Sequence, residues 1–252
     1  MLKFDIEKRD GLARVGVIHT PHGDIKTPAF VGAATRATVK ALTMQEMRNL
    51  GRQAILANTY HLILRPGTDL IKEAGGLAEF SSWHGPTFTD SGGFQIFSLP
   101  NVKISENGVK FKSHIDGANF EITPESSMQA QWAIGADIHM AFDHLAKSES
   151  RKDMEEAMCR THAWLDRCVT ENQKLATTAQ KNNEPEQYLY AVVQGGTFND
   201  LRAESAKYCA SKNPDGIGIG GVFTADGMAE MLQTVNSILP ENKPRHLLGL
   251  GQ

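Results

Sequence analysis

The chain has 252 residues, 40% hydrophobic and 22% charged, with a formal net charge of -3. Those are the proportions of one ordinary globular domain with a substantial core. They exclude a disordered polar chain and carry no global signature of a polyanion binder, so any nucleic-acid contact must rely on a local basic patch. No run of eighteen apolar residues occurs, and Met1-Leu2-Lys3-Phe4-Asp5 has neither a signal-peptide core nor a lipidation motif, so a cytoplasmic location is expected. Cys159, Cys168 and Cys209 fit no common zinc spacing, and an odd count argues against a disulfide framework; all three are expected to be buried thiols.

From Phe4 to Ile25, short β-prone runs alternate with the turn dipeptides Asp10-Gly11 and His22-Gly23, which predicts a hairpin or meander lying as a lid on the rest of the chain. Ala29-Phe30-Val31 then reads as a strand, followed by a helix from about Thr43, where Thr43 and Glu46 fit a capping box. A strand at Ala54–Ala57, a helix from about Asp69 and a strand at Thr87–Thr89 come next. A polar hairpin insertion runs from about Val102 to Ile122, and Thr123-Pro124-Glu125 opens another helix with a cap and a first-turn proline. The beat resumes with strand Ile138–Ala141, a long helix from about Arg151, strand Tyr188–Val193 and a helix from about Asn199. Strand Gly216–Ile219, a helix from about Asp226 and strand His246–Gly249 complete the series. Repeated strand–helix alternation implies parallel strands with right-handed crossovers. The fold class is therefore α/β, a (β/α)8 TIM-barrel type, with a doubly wound sheet as the alternative. About seven parallel strands are counted where a closed barrel needs eight.

Polar and glycine-rich motifs follow these strands, at the end where such barrels carry their active sites. Thr89-Asp90-Ser91-Gly92-Gly93-Phe94-Gln95 offers a carboxylate, a hydroxyl and a close backbone approach, although an isolated Asp90-Ser91 also suits an Asx-turn. Asp143 follows a second strand, Gln194-Gly195-Gly196 a third and Gly220-Gly221-Val222 a fourth. Either Gly-Gly pair alone is ordinary strand-to-helix turn chemistry. Neither matches a dinucleotide fingerprint or a phosphate loop, because the spacing is wrong and the phosphate-loop lysine is missing. Together, a carboxylate, a carboxamide and a backbone N–H complement the donor and acceptor pattern of a guanine edge. Phe94 and Leu248 could sandwich such a ring. His61, within Asn58-Thr59-Tyr60-His61, is a weaker candidate, since a histidine at a strand end is more often structural.

Ala57-Asn58-Thr59-Tyr60-His61-Leu62 with Arg65-Pro66-Gly67, the Thr89–Gln95 string, Phe142-Asp143 and Val193-Gln194-Gly195-Gly196 resemble the tRNA-guanine transglycosylases in order and spacing. The resemblance covers residues from about Phe4 onward and rests mainly on the Asp-Ser-Gly-Gly-Phe-Gln string. It implies exchange of guanine at the wobble position of a GUN anticodon for a 7-deazaguanine, either prequeuine base or queuine, in queuosine biosynthesis. The implied mechanism is a double displacement at the ribose C1′ on an eight-stranded barrel, the logic of a retaining glycosidase with a heterocycle in place of water. Carried onto this chain, Asp90 becomes the acid/base, with Ser91 and Asn58 beside it. Asp143, Gln194, Gly220 and Gly221 read the base edge, Phe94 and Leu248 hold its faces, and Val222 lies beside the 7-substituent.

The resemblance also implies a tRNA partner, a homodimer in the full-length form and a structural zinc held by three Cys and one His. The family's zinc ligands and nucleophilic Asp follow the strand matched here by Leu247-Leu248-Gly249-Leu250-Gly251, so with Gln252 as the last residue the chain is expected to be a barrel domain, residues 1–252, incomplete at its C-terminus. A second departure is Val222-Phe223-Thr224-Ala225-Asp226, where bacterial members usually have Leu, a small residue, Val, Gly and Glu; this bears on which 7-deazaguanine is used. Two other readings are a catalytically silent tRNA-binding partner subunit and an unrelated small-molecule barrel enzyme, the latter resting on fold analogy alone.

Overall fold

In the computed structural model, which describes residues 1–221 and 227–249, the chain begins with an antiparallel meander. Its strands are β1 (Lys3–Asp10), β2 (Ala13–Thr20) and β3 (Gly23–Thr27). The alternating part continues as β4 (Val31–Ala33), α1 (Met44–Asn49), β5 (Ala54–Ala57), α2 (Thr59–Leu64), α3 (Thr68–Glu73), α4 (Leu77–Ser81), β6 (Thr87–Thr89) and α5 (Gly93–Phe97). The insertion is a small antiparallel sheet of β7 (Lys103–Ile104), β8 (Val109–Lys112) and β9 (Asn119–Ile122). Then come α6 (Pro124–Ile134), β10 (Ile138–Met140), α7 (Arg151–Lys181), β11 (Tyr188–Val193), α8 (Asn199–Ser211), β12 (Gly216–Ile219), α9 (Met228–Ile238) and β13 (Arg245–Leu247).

Among the described residues, seven strands form one parallel sheet in the order β13-β12-β11-β10-β6-β5-β4. The sheet curls. β6 and β13 are four strand steps apart, about 19 Å in a flat sheet, yet the rings of Phe88 and His246 are 5.5 Å apart. This curvature is that of a barrel wall and rules out the doubly wound alternative.

Period-two alternation divides each strand between two cores. Tyr188, Tyr190 and Val192 of β11 join Phe88, Ile138 and Met140 in the interior cluster. Leu189, Ala191 and Val193 pack outward among helical residues such as Trp164, Cys168, Ala206 and Cys209. Interior bulk explains a glycine in β12: a Cβ on Gly216 would lie 2.2 Å from the Tyr190 ring. The outer layer is braced by polar contacts, because Gln131 of α6 accepts from Thr89 Oγ1 at 3.0 Å and donates to the Met140 carbonyl at 2.9 Å.

The expected caps are present. Thr43 and Glu46 form a reciprocal capping box, and Thr123 caps α6 with Pro124 in its first turn. Several expectations need correction. The meander closes the opposite end of the barrel from the motifs: Leu2 N–H donates to Asp215 and His22 to Asp137, residues that precede strands, while Ile18 and Ile25 enter the interior cluster. The first parallel strand lies two residues later than expected, because Phe30 turns out to solvent under the Arg52 guanidinium. The last ends at Leu247, with Leu248 and Gly249 already in a turn and Gly249 at φ +80°. Helices α2, α4 and α5 are additional to the expected ones; each has only five or six residues, which display little of a helical period, and none carries a capping box like the one that marks α1. Cys159 is exposed rather than buried. The expected helix start at Asp226 lies outside the described residues.

Candidate active site

The alternation that sorts the core also sets the site. Continuing the inward-facing positions past the C-terminal ends of β5, β6, β11 and β12 reaches Asn58, Asp90, Gln194 and Gly220. β10 departs from this pattern, since Ala141 and Phe142 both join the outer core and Phe142 stacks on Trp164 at 5.0 Å. That packing turns the chain so that Asp143 is the residue returned to the mouth.

Asp90 is held from three sides. Asn58 Nδ2 donates to its Oδ2 at 2.5 Å, and the N–H groups of Thr59 and Gly92 each donate to Oδ1 at 3.0 Å. Asn58 has a second task, accepting from the His61 N–H as the N-cap of α2. The Gly92 turn needs its glycine, because φ is +78° and a Cβ there would lie 2.9 Å from the Tyr60 nitrogen. Burial pushes the Asp90 carboxyl up to about 6, against the lowering effect of its three donors and with a further push from the Asp143 charge. A carboxyl tuned there can both give and take a proton near neutral pH.

Asp143 lies across the mouth. Ser91 Oγ donates to its Oδ1 at 2.8 Å and Gln194 Nε2 to its Oδ2 at 2.6 Å. Burial raises its carboxyl above the usual range, opposed by those two donors. Gly221 adjoins this network, since a Cβ at its φ of +81° would come within 2.7 Å of Gln194 Oε1. Leu248 closes the same side, its Cδ1 3.5 Å from the Cβ position of Gly220.

The structure thus brings Asn58 to Asp90, and Ser91 and Gln194 to Asp143, with Gly221 beside Gln194. Phe94, on α5, keeps 65% of its surface exposed. Val222 lies outside the described residues, as do Phe223–Asp226 and Leu250–Gln252. His61 sits on α2 against the rings of Tyr60 and His114, at 5.1 and 5.9 Å. Burial and the nearby Arg36 charge lower its imidazole, and the Asp90 carboxyl takes its hydrogen bonds from Asn58, Thr59 and Gly92 instead. Sequence reading missed Thr59, whose side chain also donates to the Asp90 carbonyl at 2.6 Å, and Arg202, a buried cation of α8. A charged residue at an inward helical position is the one signal that marked Arg202.

Among the described residues no group of three or more His, Cys, Asp or Glu side chains is placed to hold a metal. Cys168 and Cys209 lie in the outer core with thiols pushed up to about 12 by burial, so neither suits a thiolate ligand. The zinc implied by resemblance therefore has no fitting ligand set in these residues. Among the described residues no helix is long and apolar enough to cross a membrane.

The family model described as "Queuine tRNA-ribosyltransferase" matches residues 9–252. Curated relatives bearing that name agree along nearly the whole chain. The one from Herpetosiphon aurantiacus is 47% identical over 253 residues, covering 98% of this chain and 62% of that protein. For Desulforamulus reducens the identity is 45% over 257 residues, covering 99% and 67%, and for Pelotomaculum thermopropionicum 47% over 244 residues, covering 95% and 63%. The chain spans 62–67% of the length of these relatives. With the match running from the meander through every strand of the barrel wall, the chain belongs to the queuine tRNA-ribosyltransferase family.

Proposed function

We propose that this chain supplies the base-recognition and proton-transfer part of a tRNA-guanine transglycosylase, a pentosyltransferase that replaces guanine at the wobble position of GUN anticodons with a 7-deazaguanine in queuosine biosynthesis. The observation that carries the reading is the paired arrangement of two carboxyls at one strand-end mouth. Asp143 is clamped by Ser91 and Gln194, and Asp90 is poised at about 6.

Asp143 accepts from the adjacent N1–H and exocyclic amine of the base, while Gln194 and the Gly221 N–H donate to its O6. Gly220 permits the close approach, and Phe94 and Leu248 cover the ring faces. Asp90, kept in place by Asn58 and Thr59, passes a proton to the departing base and removes one from the entering base. The same reading proposes residues 1–252 as part of one barrel domain, a cytoplasmic setting, a homodimer, and Val222 beside the 7-substituent of prequeuine base or queuine.

Incorporation of labelled guanine into a GUN-anticodon tRNA by the whole gene product tests this. Asp143→Ala should lower incorporation by at least about a hundredfold, as expected when a buried bidentate acceptor is lost, while retention of tRNA on a native gel stays near wild type. Incorporation at the wild-type rate would overturn the assignment.

A further inference from the structure

Arg202 lies in the first turn of α8 with no exposed surface. Its Nε donates to the Gly196 carbonyl at 2.8 Å, and its Nη1 to the carbonyls of Val193 at 3.2 Å and Gly220 at 2.5 Å. These acceptors come from two successive strand ends, those of β11 and β12, which also carry Gln194 and Gly221. Only a guanidinium presents several donors in one rigid plane with no acceptor of its own, so it can gather several carbonyls at once. Burial lowers Arg202 to about 10, and it remains a cation at neutral pH.

In a trans peptide the C=O of one residue and the N–H of the next point in opposite directions. The Gly220 carbonyl is directed at Arg202, so the Gly221 N–H is directed away from the α8 side. The positive φ of Gly221, +81°, completes this turn, and both Arg202 and Gln194 crowd its Cβ position, at 3.3 and 2.7 Å.

We propose that Arg202 is a positioning residue for base recognition: by holding the Gly220 carbonyl it fixes the Gly220–Gly221 peptide plane, so that the Gly221 N–H is presented to the acceptor at position 6 of a purine held by Asp143 and Gln194. This deepens the proposed base-recognition role of the site and rests on it. The contribution is to orientation, since a donor aimed before the base arrives need not reorganise on binding.

Two readouts test it on the 252-residue chain. The first is the amide resonance of Gly221 in ¹⁵N-labelled protein, with and without guanine. The second is the affinity for guanine against 2-aminopurine, which lacks the position-6 oxygen. In the wild type, guanine should move the Gly221 resonance downfield. Arg202→Met should abolish that movement and weaken guanine binding by about tenfold, the worth of one buried hydrogen bond, while changing 2-aminopurine binding by less than about twofold. Arg202→Lys should restore part of the guanine affinity, and it carries the comparison if Arg202→Met does not fold. An unchanged Gly221 response, or equal loss of both ligands, would overturn the positioning role. If the wild type binds no guanine but Arg202→Met still displaces the Gly221 resonance, the base-recognition reading fails and the hold on the peptide plane stands.

Discussion

At the residue scale, the two carboxyls differ in what surrounds them. Asp90 receives two backbone N–H groups and one amide, whereas Asp143 receives one hydroxyl and one amide. Burial dominates both, and the raised Asp90 carboxyl has a consequence for stability. A carboxyl whose folded value, about 6, exceeds its ordinary 3.8 favours the folded state when protonated. That contribution is full below 3.8 and is lost as pH rises through about 6. Urea titrations of wild type and Asp90→Asn should therefore diverge with pH. From about pH 4 to about pH 7 the wild type should lose up to about 3 kcal/mol relative to the variant, less whatever its partial solvent access screens away. Parallel curves would show that Asp90 is ordinary in the folded state.

At the element scale, short strands buried on both faces leave little room for substitution. β6, β10, β11 and β12 are buried at every residue, the expected state of parallel strands covered by helices on one side and an interior core on the other. β12 meets this constraint with glycine, because Tyr190 occupies the space beside Gly216. Gly216→Ala should cost about 1–3 kcal/mol through overpacking of the ring, read as a lower thermal midpoint. The companion substitution Tyr190→Leu should recover part of that loss, and simple additivity of the two changes would refute the steric account. The sequence motif Gly-Ile-Gly-Ile thus alternates a missing side chain facing the interior with isoleucine facing the helices.

At the scale of the whole molecule, the meander closes the barrel floor while the strand-end loops form its mouth. Ile25 is 1% exposed and meets the interior cluster containing Phe88 and Tyr190. Ile25→Ala should cost about 2–5 kcal/mol, as large-to-small changes in a close-packed core do. The loss should appear first as protease cleavage and amide exchange within residues 1–27, because a peripheral sheet can detach before the barrel unfolds. Simultaneous exchange of the barrel strands would instead mark the meander as an inseparable part of one cooperative unit.

Much of this was legible in the residues themselves. Alternation of apolar runs with capped helices determined the seven parallel strands, and the Thr43 and Thr123 caps announced their helices, because hydrophobic period and capping are local properties. Local pattern also marked Asp90, Asp143, Gln194 and Gly221 as residues following strands. Tertiary structure alone decided which of them touch. The Asp143 network joins residues 51 and 52 positions apart, and its geometry follows from sheet curvature and from Phe142 packing on Trp164. The same holds for Arg202: its carbonyl partners lie 6, 9 and 18 residues away, and burial of its charge depends on two loops brought together by strand pairing, a relation that no single stretch of sequence contains.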